Sequence, residues 1–93
     1  NNLKAQSQKV AVLYEMYKRV KNIQTQPHTA KIISDFLQKL SNDYSAIEDL
    51  QHLKQEFNLI WQEMKKRPLP QTRQEFEDRA ELFTLLELIE EFL

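Results

Sequence analysis

Cysteine and glycine are both missing from this 93-residue chain. Without cysteine there is no disulfide, no thiolate nucleophile and no Cys-ligated zinc or iron–sulfur site. Without glycine, where about 7% is usual, phosphate loops and dinucleotide fingerprints are excluded, because both need positive φ or close backbone approach. Most nucleotide-dependent enzymes fall away on that ground. Tight β-hairpins are disfavoured too, since their primed turns draw on Asn-Gly, Asp-Gly or Gly-X. Long apolar runs are also scarce: nothing approaches the roughly 18 to 20 residues a membrane span requires, and the start lacks the basic-then-apolar layout of a signal peptide. These features predict a soluble, cytoplasmic chain with no membrane span.

What remains is 41% apolar and rich in Leu, Glu, Gln and Lys, all good helix formers. A chain this short suits one helical domain, residues 1–93, with a modest core. Four helices are expected, at about 3–23, 28–42, 45–67 and 72–92. Leu3, Val10, Leu13, Tyr17 and Val20 form one stripe on the first, widened by Met16 and Ile23. Pro27 disfavours helical geometry at Gln26 and suits the first turn of the next helix. From Ile33 to Met64 the apolar positions follow heptad steps on each side of one three-residue slip. That slip has two readings: a turn at Asn42–Ser45 with Ser45 and Glu48 capping a third helix, or one continuous helix over residues 29–66. The fold class is therefore all-α, an antiparallel four-helix bundle, or three helices if 29–66 is continuous. Thr72 and Glu75 have capping-box spacing ahead of the last helix, where Phe76, Ala80, Phe83, Leu86 and Ile89 keep helical periods. Eight of the twelve residues from Leu82 to Leu93 are apolar, more than one core-facing stripe of about 100° should need.

That excess makes Leu82, Leu85, Leu88, Phe92 and Leu93 candidates for binding a partner, a second copy of the chain or another helical protein. Trp61, at the stripe's margin, is an aromatic interface candidate. Residues 1–67 hold eleven Lys/Arg against seven Asp/Glu, while residues 68–93 hold two against seven. Around that change of sign Lys65, Lys66, Arg67 and Arg73 form a basic cluster beside Pro68 and Pro70, which read as a stiff connector rather than a PxxP ligand. A net charge of −1 argues against autonomous nucleic-acid binding. Glu48, Asp49, His52 and Glu56 share one helix, but no matching second half of a di-metal site is present, and His28 has no partner at ligand spacing. No catalytic residue, metal or cofactor is expected, and the chain reads as a non-enzyme acting by protein–protein interaction.

From residue 24 onward the segments "AKIISDFLQKL", "WQEMKKRP" and "EFEDRAELFTLLELIEEF" resemble the YlbF/YmcA control-of-competence family of small helical proteins. In that family an acidic, Leu-rich tail helix follows a proline and carries features matching Glu75-Phe76 and Leu85-Leu86. The resemblance implies an oligomeric regulatory adaptor without catalytic residues. Its cysteine-held clusters cannot carry over. "VLYEMYKRV" in the first helix is similar to enterocin-type bacteriocin immunity proteins, which implies a toxin-immunity role as the alternative. A metal-dependent helical-bundle enzyme is the remote third reading.

Overall fold

Leu13, Met16 and Val20 recur at three- and four-residue steps, and burying that stripe holds the first helix, α1 (Asn2–Lys21), against the rest of the chain. The computed structural model describes residues 2–43 and 50–93, with side chains described from residue 8 to 42 and from 50 on. Helix α1 ends in tightened i→i−3 bonds, Asn22 N–H to Arg19 and Ile23 N–H to Val20. Lys18, Arg19 and Lys21 in its last turn complement the helix dipole.

Helix α2 (Pro27–Asp43) begins with proline at its first position. Gln26, barred by Pro27 from the ordinary helical region, takes φ 59° and presents its carbonyl to Ala30 N–H at 3.0 Å. Helix α3 (Leu50–Lys65) runs back along α2: the Phe36 and Phe57 rings lie 5.8 Å apart and Lys39 Nζ meets Glu56 Oε2 at 2.7 Å. In one continuous helix Phe36 and Phe57 would stand about 31 Å apart. The chain therefore reverses, and the single-helix reading of 29–66 is excluded. The expected Ser45–Glu48 capping box lies outside the described residues.

Helix α4 (Arg73–Phe92) starts on Thr72, whose Oγ1 accepts from Glu75 N–H at 3.1 Å. The reciprocal arm differs from the expected box, because Glu75 Oε2 accepts from Gln71 N–H at 3.0 Å and not from Thr72. Arg19 Nε meets Glu81 Oε1 at 2.6 Å while Thr25 meets Asp78, so residue numbers fall on α4 as they rise on α1. Trp61 packs edge-on against Phe83 at 5.7 Å and joins α3 to α4. The result is an all-α, antiparallel four-helix bundle.

All four helices feed one core. Two expectations for α4 need correction. Leu82 and Leu85 are 0% exposed, as are Leu86 and Ile89. Leu88, Phe92 and Leu93 are half-buried against the same core. Burial takes Leu82 and Leu85 out of any outer surface, since a helix touching both α1 and α3 needs a wider stripe than a helix with one neighbour, while Leu88, Phe92 and Leu93 keep part of their surface open. Phe76, expected on the core face, is 65% exposed instead.

Candidate functional site

A cleft of 570 Å³ opens between α1 and α2. Its floor is Leu13 and Leu37, both buried, and its walls carry the rings of Tyr14 and Tyr17. Tyr14 is 59% exposed, and Gln38, Ser41 and Asn42 line the α2 side. Helical spacing explains the grouping: positions 10, 13, 14 and 17 share one face of α1, and 37, 38, 41 and 42 one face of α2. Lys18 Nζ stands 5.2 Å from the Tyr14 ring centroid and Lys21 Nζ 5.0 Å from that of Tyr17. Lys18 also pairs with Glu15 at 2.8 Å, and the hydrogen bond and charge of Glu15 hold its ammonium above the ordinary lysine value. Chemically, this is a slot with aromatic faces for stacking, and amide and hydroxyl groups able to donate to an anion. Its volume falls in the range of small-molecule sites, about 300 to 1,000 Å³.

The α3–α4 corner holds the residues singled out from the sequence. Trp61 is half-buried, 6.3 Å from Phe57 and edge-on to Phe83, with Lys65 Nζ 5.2 Å from its ring centroid. Much of the indole is thus spent inside the bundle. Lys65 and Lys66 are exposed, whereas Arg67 is only partly so, its Nε enclosed without a hydrogen-bond partner among the described residues. Arg73 is 91% exposed at its side chain and bonds Glu77 one turn on, at 3.2 Å. The structure therefore keeps three of these cations open at the corner and folds the fourth inward. Arg79, which the spacing gave no reason to notice, donates from Nη2 to the Pro68 carbonyl at 2.6 Å and pins the connector.

Asp78 was also missed. It is 5% exposed. One carboxylate oxygen accepts from Thr25 Oγ1 at 2.6 Å, Thr25 N–H at 2.7 Å and Gln24 N–H at 3.2 Å. The other accepts from Gln74 Nε2 at 3.0 Å. Burial pushes its pKa up, but the hydrogen bonds from Thr25, Gln74 and Gln24 outweigh that and hold it below the ordinary aspartate value. A carboxylate fixed as an anion, with its lone pairs occupied by the fold, is a clamp on the α1–α2 loop and not a general base. Gln74 is its one local partner, and no local pattern could have marked its role, because Gln24 and Thr25 lie more than fifty residues away.

Glu48 and Asp49 lie outside the described residues, and Glu56 is bonded to Lys39. His28 is exposed at the start of α2 and His52 on α3. Among the described residues no three His, Asp or Glu side chains come together as metal ligands would.

Residues 2–93 match the sequence profile of the family described as "Putative aromatic acid exporter C-terminal domain". No curated protein and no solved structure matches the chain. The family match overturns the resemblance to YlbF/YmcA proteins and to bacteriocin immunity proteins. With them go the adaptor and immunity readings, the cytoplasmic location, and the expectation of a partner restricted to another copy or helical protein and removed from any membrane. The motifs behind those readings were heptad steps, a post-proline helix and an acidic tail, which any helical bundle can share.

Proposed function

This chain belongs to the aromatic acid exporter C-terminal domain family, and on that premise we propose that it is a helical domain of an aromatic-acid export protein, holding the cargo in its α1–α2 cleft. The observation that carries the reading is the family match across residues 2–93. Support comes from the cleft, whose Tyr14 and Tyr17 rings can stack on an arene while Gln38, Ser41 and Asn42 donate to a carboxylate. Among the described residues that line it none is acidic, which suits an anion.

The four helices carry charged outer faces, such as Glu77, Glu87, Glu90 and Glu91 on α4, and these belong in water rather than hydrocarbon. Among the described residues no helix is long and apolar enough to cross a membrane. The proposed division of labour leaves the membrane path to other parts of an exporter and gives this domain the task of meeting cargo. No bond is made or broken in that role, and the reading assigns the chain no catalytic residue and no cofactor.

Benzoate is the simplest probe. In an amide-resolved NMR titration it should shift Tyr14, Tyr17, Gln38 and Asn42 saturably, while cyclohexanecarboxylate, which keeps the charge and loses the π face, should bind more weakly. Tyr14→Ala should weaken benzoate binding by about tenfold. Shifts that do not saturate, or that map away from these residues, would reject the cleft. Unchanged efflux of aromatic acids from cells whose exporter lacks residues 2–93 would reject the transport role itself.

A further inference from the structure

The stretch from Met64 to Gln74, "MKKRPLPQTRQ", contains four cations and no acid. It forms the corner between α3 and α4, and the two large apolar side chains most open to water around that corner are Leu69, 84% exposed, and Phe76, 65% exposed. Each is exposed for a physical reason. Leu69 stands between Pro68 and Pro70, which set extended geometry on both sides, and Arg79 holds the Pro68 carbonyl at 2.6 Å. The loop thereby presents the leucine in one fixed posture, with little left to lose on binding. Phe76 is the fourth residue of α4, where a hydrophobic staple would pack it against the residue before the N-cap. That residue is Gln71, so the ring has no staple partner.

We propose that this corner docks on an anionic lipid surface, with Leu69 and Phe76 entering the headgroup region and Lys65 and Lys66 contacting lipid phosphates. Charge complementarity selects the surface: Lys65, Lys66 and Arg67 follow one another with no acid among them, the two acids beside Phe76 are engaged within the corner, Glu75 by Gln71 N–H and Glu77 by Arg73, and juxtamembrane basic segments are drawn to anionic leaflets. The apolar pair selects lipid over a purely polyanionic partner, because a nucleic acid offers no hydrocarbon to receive an aliphatic side chain. Membership of an exporter family sets the domain near a bilayer. The proposal shares that setting with the proposed function, but it makes no use of the cleft, and the two fail independently.

Flotation of the full chain with vesicles tests it, using phosphatidylcholine alone and phosphatidylcholine mixed with an equal part of phosphatidylglycerol. The chain should float with the mixed vesicles, stay behind with the neutral ones, and lose binding as salt is raised. The double variant Leu69→Ser with Phe76→Ser, and separately Lys65→Glu with Lys66→Glu, should each bind the mixed vesicles at least tenfold more weakly while keeping wild-type helix content by circular dichroism. Leu59→Ser removes an equally exposed side chain from the middle of α3 and should bind as wild type does. The proposal is overturned if wild type binds neither vesicle, if it binds both equally, if the corner variants bind like wild type, or if Leu59→Ser loses as much as they do.

Discussion

Asp78 does more for this fold than its single charge suggests. It supplies acceptors for two backbone N–H groups in a loop that has no regular structure to satisfy them. Replacing it with alanine leaves those donors and Thr25 Oγ1 unpaired, and the expected cost is about 2–4 kcal/mol by urea denaturation. Its pH signature follows from the direction of its shift. The folded-state pKa lies below the unfolded value, so its stabilisation is complete above about pH 4 and disappears as pH falls through the folded value. Wild type should therefore lose stability steeply in acid, and Asp78→Asn should start lower and fall less steeply over that range. A second residue-scale prediction concerns Gln26, held at φ 59° in a chain without glycine. Gln26→Gly removes a left-handed penalty of about 1 kcal/mol and returns part of it as unfolded-state entropy, so the melting temperature should stay level or rise slightly. Gln26→Val should lower it, since a β-branched side chain tolerates that region worst. Melting temperatures of the two variants in parallel would decide.

At the level of elements, the start of α4 was legible and its partners were only half so. Thr72 and Glu75 have the spacing of a cap, and Thr72 does cap. Glu75 accepts from Gln71 N–H instead of from its reciprocal partner, while Thr72 keeps the extended geometry usual for an N-cap, φ −123° and ψ 162°. Thr72→Ala should cost about 1 kcal/mol in thermal or chemical unfolding. Thr72→Ser should cost much less. Between elements, the ion pairs are partly exposed: Arg19 and Glu81 show 43% and 35% of their side chains to solvent. Removing that pair should change stability by no more than about 1 kcal/mol, with the difference shrinking as salt rises.

At the scale of the molecule, α4 is the helix that turns four segments into one core. Leu82, Leu85, Leu86 and Ile89 are all 0% exposed. Leu85→Ala should cost about 2–5 kcal/mol. Its unfolding midpoint should drop by the same amount at every protein concentration, because the lost contacts lie within a single chain. Leu59→Ala, on the open side of α3, should stay within about 0.5 kcal/mol of wild type. A concentration-dependent penalty for Leu85→Ala would return this residue to an interface between chains.

Sequence alone was enough for the all-α class and for the starts of α2 and α4, because a period of three and four residues and the placement of Pro27, Pro68 and Thr72 are local properties of the chain, but it left residues 29–66 open between one helix and two until α2 and α3 were seen to pack on each other. It was enough also to exclude thiol chemistry and glycine-dependent nucleotide sites, since those depend on residue types that are absent. The tertiary structure decided which apolar side chains are spare. Phe76 and Phe83, seven residues apart, share one face of α4, yet Phe83 packs against the core beside Trp61 and Phe76 is open, according to whether α3 lies over that turn of α4. It also decided the α1–α2 cleft, the inward fold of Arg67 and the role of Asp78, because each depends on residues brought together only when the helices pack.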